Sequence, residues 1–143
     1  MRFWAGVNPK PKLRRAAVLP EISRMILADT SIWIDHLRKA DADFVEQLNQ
    51  GQVVMHPAIM GEILLGSLSN RTSLETALSE MPQALQASDK EVMFFINTAK
   101  VYGRGIGWVD THLLVSARLT GARLVTRDKR LAEVARELGL GWG

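Results

Sequence analysis

The chain has 143 residues, 47% of them hydrophobic and 23% charged, which is enough for one compact core of the usual ~100–150-residue domain size. It contains no cysteine, so disulfides, thiolate zinc sites and cysteine nucleophiles are excluded and nothing points to an oxidising compartment. No apolar stretch approaches the ~18–20 residues of a membrane helix, and no signal-peptide pattern opens the chain, so a soluble cytoplasmic protein is expected.

The formal charge of +3 is unevenly spread. Residues 1–24 hold six basic residues against the single acid Glu21, whereas the rest of the chain holds 12 basic and 14 acidic residues. A basic balance is therefore no property of the body, and function there has to be argued from particular residues. With Pro9, Pro11 and Pro20 and no sustained periodicity, residues 1–24 read as a disordered basic extension, and residues 25–143 as the folded domain.

Met25-Ile26-Leu27-Ala28 is an apolar run of strand length, followed by three helix-capping residue types in Asp29, Thr30 and Ser31. Ile32, Trp33, Ile34 and Leu37 suit a short helix, and Phe44, Val45 and Leu48 a second that Gly51 ends before a strand over 53–55. Helices are predicted over 58–68 and 72–81, the latter stopped by Pro82, and from a cap at Asp89 over 90–102. Gly103, Gly105 and Gly107 follow a helix, unlike a dinucleotide-binding loop, and so shape a turn. Asp110 opens a helix to Thr120 that Gly121 closes, 123–126 is strand-like, and a last helix follows Asp128. Strands alternating with helices predict an α/β fold of three layers, a central, mostly parallel sheet flanked by helices, with its site at the strands' C-terminal ends.

Three aspartates stand at such junctions: Asp29, Asp110 and Asp128. Each alone is explained as a helix cap; together they can face one crevice. Glu62 has Ala58, Ile59, Leu65 and Gly66 as its helical neighbours, an unusual setting for a solvated acid. Four clustered carboxylates repel one another and call for divalent cations, and oxygen-only ligands select Mg²⁺ or Mn²⁺. Arg127, Lys129 and Arg130 beside Asp128 are candidates for contacts to phosphates or a solvated helix start. His36, His56 and His112 lack zinc-type spacing, so polar or capping roles are expected of them.

The ordered set 25–38, Gly61-Glu62, Val109-Asp110 and Leu124-Val125-Thr126-Arg127-Asp128-Lys129 resembles the PIN-domain family, and within it the VapC-type toxins of type II toxin–antitoxin systems. The likeness runs from Met25 to about Leu140 and includes all four acids in order. It implies a metal-dependent endoribonuclease whose Asp29, Glu62, Asp110 and Asp128 are catalytic metal ligands, with Thr30, Ser31 and Thr126 as supporting hydroxyls. It also implies an RNA substrate, a small VapB-like antitoxin and a homodimer. The apolar surface of helices 32–38 and 58–68 serves either an interface or the core. A non-catalytic PIN-like module and a structure-specific DNA nuclease are the rivals. The intact acids speak against the first, and the shortness of the chain against the second.

Because Met25 directly precedes a strand that can itself begin a domain, a chain starting at Met25 is expected to match the full chain in melting temperature and cleavage rate. A loss of several degrees, or of most activity, would show that residues 1–24 pack or bind substrate.

Overall fold

The computed structural model describes residues 24–142; the basic extension lies outside the described residues except for Arg24. Three strands, β1 (Ile26–Ala28), β2 (Val53–Val54) and β3 (Arg123–Val125), form a parallel sheet in the order β2-β1-β3. Helices α1 (Thr30–Arg38) and α2 (Ala42–Asn49) connect β1 to β2. Between β2 and β3 run α3 (Pro57–Leu64), α4 (Arg71–Ser79), α5 (Asp89–Ala99) and α6 (Trp108–Thr120), and α7 (Lys129–Glu137) follows β3.

The central strand explains the continuous apolar run at its sequence position. Ile26, Leu27 and Ala28 are all buried because a parallel sheet is covered on both faces, so no polar alternation survives. Leu27 pairs with Val54 on one side and Leu124 on the other. Helices α1 and α6 lie against β1, and α6 and α7 against β3. Trp33 of α1 is wholly buried, with its ring edge-on to Phe44 of α2 at 4.9 Å, which fixes the first two helices to each other.

The predicted elements are all present, with shifted ends. Helix α3 stops at Leu64, short of 68, where the Gly66 N–H turns back to the Ile63 carbonyl at 3.1 Å. Helix α5 is capped by Ser88, not Asp89: the Ser88 hydroxyl accepts from the Glu91 N–H at 3.1 Å, and the Glu91 carboxylate accepts from the Ser88 N–H at 2.8 Å. The same helix ends at Ala99, short of 102, because Lys100 turns into the left-handed region at φ 55°. Helix α6 begins at Trp108 with Gly107 as its cap, so Asp110 is third in the helix, not its opener.

The Ser88 assignment is testable. Ser88→Ala is expected to lower the unfolding free energy by about 1 kcal/mol in urea titrations, and Asp89→Ala by distinctly less. Equal losses would contradict it.

Candidate active site

In a parallel sheet all strands end at one edge, and here that edge carries Asp29 after β1, His56 after β2 and Thr126 to Asp128 after β3. Helix α6 packs on β3 and enters it through the tight Gly121–Ala122 turn, so it runs back along the strand. Its first turn, with Asp110, therefore points toward the same edge.

Asp29 is the centre of this edge. Its backbone N–H donates to the Val125 carbonyl at 3.0 Å, extending the sheet by one bond past β1. Its side chain is the N-cap of α1, accepting from the Ser31 N–H at 3.0 Å and from the Ser31 hydroxyl through the same oxygen. The other carboxylate oxygen accepts from the Thr126 hydroxyl. Although Asp29 is only 8% exposed, both oxygens are thus satisfied by neutral donors, as a buried carboxylate requires.

The same hydroxyls reach onward. Thr126 Oγ1 accepts from the Asp128 N–H at 3.0 Å, and Ser31 Oγ from the Arg127 N–H at 3.0 Å. Asp128 caps α7, one carboxylate oxygen accepting from the Arg130 and Leu131 N–H groups at 2.9 and 3.2 Å. Asp29, Ser31, Thr126 and Asp128 therefore form one connected network across two strand ends. Thr30, half-buried at the start of α1, has no side-chain bond in it among the described residues.

Asp110 bends its carboxylate back to the Gly107 N–H at 3.0 Å. The loop ahead of it is tied to α7: a Cβ on Gly105, whose φ is +79°, would lie 2.6 Å from the Arg130 guanidinium. The Arg130 side chain of α7 therefore lies against the loop that leads into α6. Glu62 is exposed on α3 and lines a groove of about 310 Å³ with Ile34, Leu37 and Arg38 of α1. No contact joins it to the other three acids, and among the described residues no three Asp, Glu or His side chains gather at metal-binding separation.

None of Asp29, Glu62, Asp110 and Asp128 has an ion-pair partner among the described residues. The nearby cations are engaged otherwise: Arg127 donates to Asp35 at 2.9 Å, and Arg130 packs on Gly105. Lys129 makes no side-chain bond among the described residues. Unneutralised oxygen donors of this kind fit a hard divalent cation better than a soft one.

The histidines have roles that sequence left general. His36 is buried and its Nδ1 accepts from the Asp41 N–H at 3.2 Å. His56 caps α3, its Nδ1 accepting from the Ala58 N–H at 3.0 Å. His112 Nε2 stands 3.2 Å from the Asp89 carboxylate.

A PIN-domain family model matches residues 26–137, and the chain belongs to the PIN-domain family. It is similar to ribonuclease VapC32 of Mycobacterium tuberculosis, in strain CDC 1551 / Oshkosh and in strain ATCC 25618 / H37Rv. Each of the two relatives is 43% identical over 117 residues, covering 81% of this chain and 94% of the relative. The family resemblance read from the acids and their flanking residues is thus shown, as is the α/β fold it implied.

Burial, and to a lesser degree the charge on His112, hold His56 below its ordinary value of 6.5. The unfolded chain then binds a proton that the folded one refuses, so stability from neutral His56 is full above that ordinary value and is lost as pH falls through it toward the lowered value. His56→Asn keeps an acceptor for the Ala58 N–H, and is expected to flatten the fall in melting temperature between about pH 7 and 5. An unchanged slope by circular dichroism would remove His56 as its source.

Proposed function

We propose that this chain is a divalent-cation-dependent endoribonuclease and the toxin of a toxin–antitoxin pair. The observation that carries the reading is Asp29, a buried carboxylate held by Ser31 and Thr126 at the sheet edge it shares with Asp128, in a chain 43% identical to a ribonuclease over 94% of that relative. Residues 25–143 are the nuclease domain and 1–24 an extension to it. No helix among the described residues is long and apolar enough to cross a membrane, in keeping with action in the cytoplasm.

Asp29, Glu62, Asp110 and Asp128 are the residues that would hold a cation, Mg²⁺ or Mn²⁺ by their oxygen-only chemistry. A cation bound there would supply polarisation of the scissile phosphate and activation of the attacking water. The chain's own work is positional. Ser31 and Thr126 fix the rotamer of Asp29 by donating to it, leaving its remaining lone pairs for the cation. Thr126 also fixes the main chain of Asp128, so that one hydroxyl orders two ligands. The caps at Asp29 and Asp128 add the positive ends of α1 and α7, which favour negative charge in the crevice. Lys129, unengaged, is the readiest contact for an RNA phosphate; Arg127 is already paired with Asp35, and Arg130 lies over Gly105 without a partner for its charge among the described residues. A VapB-like antitoxin restrains the activity, and the working unit is a homodimer.

Asp29→Asn and Asp110→Asn nearly preserve shape while each removes one charge, so both are expected to abolish RNA cleavage while remaining folded. EDTA should silence the wild type, with Mg²⁺ or Mn²⁺ restoring it, and matched DNA should be spared. Expressed alone in a bacterium, the wild type should arrest growth, the Asp110→Asn variant should not, and co-expression of an adjacent small protein should rescue. A folded double variant still cutting at the wild-type rate would overturn the assignment.

A further inference from the structure

The first turn of α6 bears more than Asp110. Trp108 and Val109, its first two residues, are 42% and 41% exposed, an apolar surface within one helical turn of a proposed metal ligand. Such exposure on its own is ordinary, but the Trp108 ring is also held. It stands edge-on to the His112 ring at 4.7 Å, one turn further along the same face, and His112 is largely buried with its Nε2 3.2 Å from Asp89 at the start of α5. The exposed rings of Phe94 and Tyr102 make no ring contact among the described residues. The fold thus keeps an indole half in solvent and braces it from behind through two helices.

We propose that Trp108 is a stacking platform for an unpaired base of the RNA strand beside the bond that is cut. The inference rests on the ribonuclease reading and adds a binding residue to it. Asp29 and Asp128 at this edge repel phosphates, and of the three adjacent cations Arg127 is already paired with Asp35. Affinity for a single strand therefore needs a contribution that does not come from charge, and a braced aromatic face supplies one to any base. Trp108 is a positioning residue: two positions from Asp110, and so projecting from a different side of the helix, it anchors a flanking nucleotide rather than the one whose phosphate Asp110 serves. His112 and Asp89 set the plane of the ring.

The test is the affinity of the Asp29→Asn protein, which does not cleave, for two labelled 12-residue probes in Mg²⁺. One is oligoadenylate RNA and the other a ribose–phosphate chain lacking bases, both read by fluorescence anisotropy. Trp108→Ala is expected to weaken oligoadenylate binding about 5- to 100-fold and to leave the baseless chain unaffected. Trp108→Phe should retain most of the affinity, and Trp108→Leu, which keeps apolar bulk without a π-face, should behave like alanine. His112→Ala should fall between. In the cleaving enzyme, Trp108→Ala should raise KM by a similar factor with kcat within about twofold. Should Trp108→Ala fail to fold, the comparison of leucine with phenylalanine decides. If Trp108→Leu and Trp108→Ala bind oligoadenylate as the parent does, the platform is overturned while the ribonuclease reading stands. If the parent binds neither probe and the wild type cuts no RNA, both fall together.

Discussion

The contact between the Thr126 hydroxyl and the Asp29 carboxylate governs the rest of the site. A carboxylate at the end of a strand buried on both sides has little access to water, and leaving it without donors would cost several kcal/mol. The chain meets this demand locally, from Ser31 two residues on, and at long range, from Thr126 on the neighbouring strand. The long-range half requires β1 and β3 to end level, and the register of Ala28 with Val125 does this. Parallel pairing thus fixes which residues can attend Asp29, and those residues in turn orient Asp128.

Charge at this edge is arranged by exclusion as much as by attraction. None of the acids proposed to meet a cation has an ion-pair partner among the described residues, whereas two exposed acids elsewhere are held by arginine: Glu137 is gripped by Arg104 through two bonds of 2.9 and 2.7 Å, and Asp35 by Arg127. Exposed pairs of this sort contribute little stability. The Arg127–Asp35 pair has the further effect of engaging an arginine that adjoins Asp128 in the chain.

Much of this was legible in the sequence, for identifiable reasons. The apolar run before Asp29 and the β-rich run before Thr126 are signals of local composition, and strand-end acids follow from them by topology alone. Helix ends were less legible wherever two capping residues compete. Ser88 and Asp89 are both good caps, and Glu91 decides between them by completing a reciprocal pair with Ser88. Gly107 and Asp110 posed the same ambiguity, and there the acid reaches back from inside the helix. The bracing of Trp108 by His112 and Asp89, and the neighbourhood of His56 and His112, depend on how α3, α5 and α6 pack, for which spacing in the chain carries no mark. Glu62 was singled out for its apolar neighbours; of these only Ile59 turns fully inward, Leu65 and Gly66 are exposed, and the acid itself lines the groove beside α1.

The two outer strands show how the domain treats its borders. β2 is two residues long, and just past it Met55 exchanges bonds with Pro82 and Ala84; β3 is bridged at Leu124 by the segment around Leu140 and Gly141. Each border is thus already occupied by a single rung of backbone from its own chain. Unpaired borders are what let sheets grow from one molecule to the next, and a short, sealed sheet resists that growth. Under the restraint proposed above, recognition by an inhibitor runs through side chains and helix faces, so that it can arrive and leave without the sheet ever opening.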